Sequence, residues 1–148
     1  MTSKLSFKAI LLGAVVDIAG SFLMGLLVLA AAALVVDTAG LVGPARTAAV
    51  LAAVRTRQEF YAMALLLGAL CSVGGGYLAA RIATRRPVAH GAWSAVLCVA
   101  LSLLMMLGGD EVTSPALHLM FFGISPLLGA LGGYWQGRRD RGPVAFEA

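Results

Sequence analysis

Four apolar stretches, at roughly residues 8–36, 59–82, 89–108 and 116–136, constrain this chain more than any motif in it. A helix rises 1.5 Å per residue, so about 20 residues cross a hydrocarbon core about 30 Å thick. Each stretch is long enough to do so. Only 12% of the 148 residues are charged and 60% are hydrophobic, with a mean hydropathy of +0.92. Ordinary globular domains carry roughly 25% charged residues, which argues against a water-soluble domain. The sequence predicts an all-α membrane protein: one domain over residues 1–148, with four transmembrane helices.

The cations orient those spans. Lys4, Lys8, Arg81, Arg85, Arg86, Arg138, Arg139 and Arg141 flank one side, whereas only Arg46, Arg55 and Arg57 flank the other. Lys and Arg accumulate in cytoplasmic loops, so both termini and the middle loop are expected in the cytoplasm. The net charge of +4 is explained by this placement, and no nucleic-acid partner is expected. Lys4 and Lys8 would suit a signal peptide, but the first apolar run far exceeds the about 7–15 residues of such a core and contains Asp17. Cys71 and Cys98 fall near the middles of two spans. Disulfides form in oxidising aqueous compartments, and both cysteines are read as small packing residues.

Between the spans, local chemistry marks the ends. Asp37, Gly40, Gly43 and Pro44 break the first. The stretch "PARTAAVLAAVRTRQE" then opens with a proline suited to a helical first turn. Val50, Leu51 and Val54 are expected on one face of a short amphipathic helix in the outer loop, resting on the membrane surface or acting as a lid over a cavity. Pro87 in "TRRPVAHG" stops simple continuation of the second helix. Asp110 and Glu111 close the third outside, and Ser114 and Pro115 open the fourth as cap and first-turn proline. Pro126 is expected to kink that last helix. The tail over 139–148 is polar and expected to be mobile. Trp93, Tyr77, Tyr134 and Trp135 lie near the cytoplasmic edge, and Phe60 and Tyr61 near the outer one, as interfacial aromatic belts require.

One phrase occurs twice, as "GGGYLAAR" over 74–81 and "LGGYWQGR" over 131–138. With Gly75 aligned on Gly132, steps of four give Gly68, Ser72, Gly76 and Ala80 in the second span. The fourth gives Ser125, Gly129, Gly133 and Gly137. Residues four apart share a helix face, and smooth strips of small residues let helices approach closely in lipid. These eight are the expected helix-packing residues. Tyr77, Arg81, Tyr134 and Arg138 follow as interface anchors, the arginines reaching water along their alkyl stems. Internal duplication and convergence on one packing solution both remain open. Gly13-Ala14 matches Gly91-Ala92, but Ala95 then aligns with Asp17.

Asp17 is the one charged residue deep within a span. A charged Asp there costs about 2.5–3.5 kcal/mol on insertion scales, and such residues face the protein interior. Gly13, Ser21 and Gly25 lie at four-residue spacing from it. Two readings follow. Asp17 and Ser21 are the candidate ion-coupling residues of a proton- or cation-coupled site. Alternatively Asp17 is structural, bonding Ser21, nearby backbone or its symmetry mate in a homodimer. His90 and His118 have no Cys, Asp or Glu at metal-ligand spacing and are read as interfacial. No serine has a plausible base and orienting acid. No catalytic residue, cofactor or metal site is expected, and no enzymatic activity.

The set "DIAGS" at Asp17–Ser21, "GGYLAARIA" at Gly75–Ala83 and "HG" at His90–Gly91 resembles a group of small four-span bacterial inner-membrane proteins whose activity is not established. The resemblance implies a four-helix bundle in the bacterial inner membrane and carries over no catalytic residue. Small multidrug transporters are similar in having four spans and an acid in the first. Here, however, the acid is aspartate rather than glutamate, the outer loop carries an added helix, and no aromatic cage surrounds the acid. The expected role is helix packing and assembly, with the lipid bilayer and either a second copy or another membrane protein as partners. A small proton- or cation-coupled transporter or channel using Asp17 is the alternative.

Overall fold

The computed structural model describes residues 5–83, 85–106 and 115–140, with side chains at all of these except 105–106 and 115–122. The expectations for Lys4, Asp110, Glu111, Ser114, the His118 side chain and residues 141–148 lie outside the described residues. Among the described residues the regular structure is helical throughout: α1 (Phe7–Val35), α2 (Gly43–Thr56), α3 (Gln58–Ala83), α4 (Pro87–Met106) and α5 (Pro115–Asp140). Three of these, α1, α3 and α4 over Pro87–Leu104, are long and apolar enough to cross a membrane.

Several of the described helix ends have a local cause. After α1 the Asp37 carboxylate accepts the Ala39 N–H at 2.9 Å, and the Thr38 carbonyl accepts the Leu41 N–H at 3.0 Å. Gly40 and Gly43 hold φ of +79° and +57°, a region open to glycine at little steric cost. Pro44 then sits in the first turn of α2. The α3–α4 turn has no glycine to offer, and Arg86 takes φ of +48° there. At the far end α5 runs on through Asp140, so residues 139 and 140, expected in a mobile tail, are helical. Gln136 Nε2 donates to Asp140 Oδ1 one turn on, at 2.9 Å. Arg138 and Arg139 in the last turn suit the negative end of the helix dipole. Pro126 lies inside this helix without ending it.

The chain divides into two compact units, Met1–Ile18 with Cys71–Ala148, and Ala19–Leu70. In the second unit Val28, Ala32, Val50 and Phe60 form a buried cluster flanked by Leu29, Val36, Val54, Met63 and Leu67. The short helix α2 therefore docks onto α1 and α3 through Val50, Ala53 and Val54. Leu51, expected on that face, is exposed. At about 100° per residue it lies a quarter-turn from Val50, whereas positions three and four apart coincide. Phe60 also departs from expectation: instead of an interfacial ring it is 5% exposed within this cluster. Arg57, which caps α2, lies 5.3 Å from the centre of that ring and pairs with Glu59, its Nε donating to Oε1 at 2.7 Å.

Candidate functional site

The first unit is held by glycines at which helix backbones touch. Between α1 and α3, a Cβ on Gly13 would fall 2.7 Å from the Gly75 carbonyl oxygen and 2.7 Å from the Ala79 methyl. A Cβ on Gly75 would lie 2.7 Å from the Gly13 carbonyl oxygen and 2.9 Å from Asp17 Cβ. Between α3 and α5, a Cβ on Gly76 would overlap the Gly129 backbone, and one on Gly132 the Val73 carbonyl. Between α5 and α4, Gly129 abuts the Gly91 carbonyl and Ala95, while Gly133 and Gly137 abut Pro87. Between α4 and α1, the Cys98 thiol donates to the Ala14 carbonyl at 3.4 Å. Only hydrogen fits at such crossings, and dispersion between backbones in contact is what associates helices in lipid.

The two predicted strips are thus distributed unevenly. Ser72, Gly76, Ala80, Gly129 and Gly133 are buried, and Ser125 and Gly137 partly so. Gly68 is different, since a Cβ there has no neighbour within 4 Å. Aligned glycines of the repeated phrase also meet different partners: Gly75 meets α1 and Gly132 meets α3, while Gly76 meets α5 and Gly133 meets α4. Gly13, Gly91 and Ala95 complete the contacts without belonging to either strip. Gly13 belongs to the small series around Asp17 on α1, whereas Gly91 and Ala95 are small residues four apart on α4 that the repeated phrase does not point to.

Asp17 sits where α1, α3 and α4 meet. It is 4% exposed, and Ser72 Oγ from α3 donates to its Oδ1 at 3.3 Å. The Cys98 thiol from α4 is a further side-chain neighbour of the carboxyl. Gly75 supplies the space, because any side chain there would press on Asp17 Cβ. Ser94 is buried beside Gly13, its hydroxyl turned back to the Gly91 carbonyl at 3.0 Å. Ser21, named with Asp17 from helical spacing, is exposed. Sequence reasoning counted Ser72 only as a small residue; its hydroxyl was the missed signal. The arrangement includes a carboxyl, a hydroxyl and a thiol contributed by three different helices. Among the described residues no three His, Cys, Asp or Glu side chains are grouped to hold a metal ion.

His90 differs from the interfacial role expected of it. It is 2% exposed, in the first turn of α4, and both ring nitrogens are engaged. The Ser6 N–H donates to Nε2 at 2.9 Å, and Nδ1 lies 3.1 Å from the Arg86 carbonyl. With Nε2 accepting from Ser6, Nδ1 is the ring nitrogen left to donate to the Arg86 carbonyl. The first N–H groups of a helix lack intrahelical acceptors, and the imidazole supplies one at the start of α1. Ser6 Oγ accepts the Ala9 N–H at 3.4 Å in the same turn.

The aromatic and basic anchors cluster at the ends of α3 and α5. Arg139 Nη1 donates to the Tyr77 hydroxyl at 3.2 Å, and Arg138 lies 5.8 Å from the centre of the Tyr134 ring. Arg81 is exposed, as are Trp93, Tyr134 and Trp135. Comparison of the chain with protein-family models, with curated proteins and with solved structures gives no match.

Proposed function

We propose that this chain is a four-span protein of the bacterial inner membrane, with both termini cytoplasmic, that works without enzymatic chemistry by packing against a second copy or another membrane protein. In this reading α5 is the fourth span and the first unit is a four-helix bundle. The observation that carries it is the division of the small-residue strip on α1. Gly13 and Asp17 are buried against α3, whereas Ser21 and Gly25 are exposed, and a Cβ on Gly25 meets nothing within 4 Å. An exposed small surface on a span invites a second helix. Phe22 at 71% exposure beside it suits either lipid or that partner. Gly25→Leu tests the reading: cross-linking in native membranes should lose its multimer or companion band while the monomer remains folded. Unchanged cross-linking removes α1 as the association surface. Membrane-impermeant labelling of an Arg85→Cys variant from outside the cell tests the orientation, and reaction there overturns it.

The second reading is a proton- or cation-coupled transporter or channel. Its support is the Asp17 carboxyl beside Ser72, since an ionisable group within a span is by default a functional candidate. Asp17→Asn separates the two. Transport predicts loss of pH-dependent flux in liposomes with assembly intact, and normal flux in that variant removes the coupling role.

A further inference from the structure

The repeated phrase does more than set glycines: it ends each of two adjoining helices in aromatic and basic side chains. Gly76 on Gly129 and Gly132 on Val73 bring α3 and α5 into backbone contact. Beside this seam, Gly74, Tyr77 and Arg81 follow one another along α3, and Leu131, Trp135 and Arg139 recur every fourth residue along α5. Positions so spaced share a helix face. Gly74 is open, with nothing within 4 Å of an added Cβ, while Leu131 and Trp135 are 51% and 66% exposed. The two stripes are tied together where Arg139 donates to the Tyr77 hydroxyl.

We infer that this seam binds an anionic membrane phospholipid, its phosphate held by Arg81, Arg139 and the Tyr77 hydroxyl and an acyl chain lying over Gly74 beside Leu131 and Trp135. The inference rests on the four-span reading, which puts this seam at the lipid headgroup level. Charge argues for the occupant. Arg81 and Arg139 are exposed, and among the described residues the one ion pair is Arg57 with Glu59, at the other end of α3. The neighbouring Asp140 carboxylate accepts from Gln136. Because the Tyr77 oxygen accepts from Arg139, its own O–H is left to donate to a phosphate oxygen. Guanidinium groups match phosphate oxygens in geometry and charge. A zwitterionic lipid would bring its own cation against the arginines, so the seam selects an anionic headgroup. Trp135 stands at the depth where an indole can have one face in hydrocarbon and its N–H among headgroups.

The test is native mass spectrometry of the full chain in nonionic detergent, titrated with phosphatidylglycerol and with phosphatidylcholine of the same acyl chains. Phosphatidylglycerol should be retained at least tenfold more tightly. Arg81→Gln and Arg139→Gln should each weaken it by about tenfold, the loss of one charge-assisted contact, and Tyr77→Phe by less. Arg138→Gln removes the same charge from the same helix end, beside Tyr134, and should leave retention unchanged. Equal retention of both lipids, equal loss in Arg138→Gln, or full displacement by inorganic phosphate at matched concentration overturns the inference. Alkaline carbonate washing of native membranes keeps the two readings apart. A chain released into the wash takes down the four-span reading and this one together; a chain that stays but shows no lipid preference refutes this one alone.

Discussion

Three consecutive glycines on α3 offer a test in which one methyl group is placed in three different surroundings. Alanine favours a helix interior over glycine by roughly 0.5–1 kcal/mol, and that gain is common to all three positions. At Gly74 nothing lies within 4 Å of the new Cβ, so Gly74→Ala should stabilise by about that amount. At Gly75 the Cβ would lie 2.7 Å from the Gly13 carbonyl oxygen and 2.9 Å from Asp17 Cβ. Ordinary carbon contacts begin near 3.5 Å, so α1 must retreat by ~0.5–1 Å. Overpacking of this kind costs about 1–3 kcal/mol, a net loss of up to about 2.5 kcal/mol after the helix gain. At Gly76 the Cβ would overlap the carbonyl, Cα and carbonyl carbon of Gly129. Backbone cannot rotate aside, so the cost reaches the top of that range or passes it. Gly74→Ala and Gly76→Ala should therefore differ by about 3 kcal/mol, more than a hundredfold in the ratio of folded to unfolded chain. Unfolding of the purified chain in bicelles by added sodium dodecyl sulfate, followed by circular dichroism, measures the difference. Equal midpoints for the three variants, or Gly74→Ala as the weakest, would refute the claim that α3 packs through two glycines and leaves the third open.

Other expectations follow from the same contacts. Ser72→Ala removes one of the partners of the Asp17 carboxyl and should cost about 0.5–1.5 kcal/mol, the net worth of one hydrogen bond, whereas Asp17→Asn keeps an acceptor oxygen and should cost less. A double-mutant cycle on the pair should show coupling on the order of 1 kcal/mol, and additive losses would dismiss the bond. His90→Ala removes the acceptor of the Ser6 N–H, so hydrogen exchange at Ser6 should accelerate while amides in the middle of α5 stay protected. Unchanged exchange at Ser6 would contradict the tether. Phe60→Ala opens the cluster beneath α2 at about 3–5 kcal/mol. Proteolysis between residues 36 and 57 should speed up with the α4–α5 contacts intact, and a uniform loss across the whole chain would show that the two units do not open separately.

The helices themselves are legible in the residues because their causes are local. Expected spans over 8–36, 59–82 and 89–108 differ by a few residues at most from α1, α3 and α4. The stops at Asp37, Gly40, Gly43 and Pro87 act on their own neighbours through hydrogen bonds, φ and a missing N–H. Faces were harder to read. Leu51 and Phe60 are apolar whichever side they take, and only the docking of α2 onto α1 and α3 buries the second and leaves the first in the open. His90 reads as interfacial in the sequence, and only α1, by bringing the Ser6 N–H to its ring, makes it a buried tether.

The length, apolar character and ends of the helices belong to the sequence alone, because the transfer of a segment into lipid is a sum over its own residues. Which helix each small residue would meet does not. Gly74, Gly75 and Gly76 are chemically identical and adjacent, yet one faces open space, one α1 and one α5. Likewise Ser72 served the strip by its size and Asp17 by its hydroxyl, and only the second role needed a partner from another helix. In lipid no difference in hydrophobicity drives helices together, so pairing rests on contact between particular surfaces. That contact depends on all the packed helices at once, and only the tertiary structure decides it.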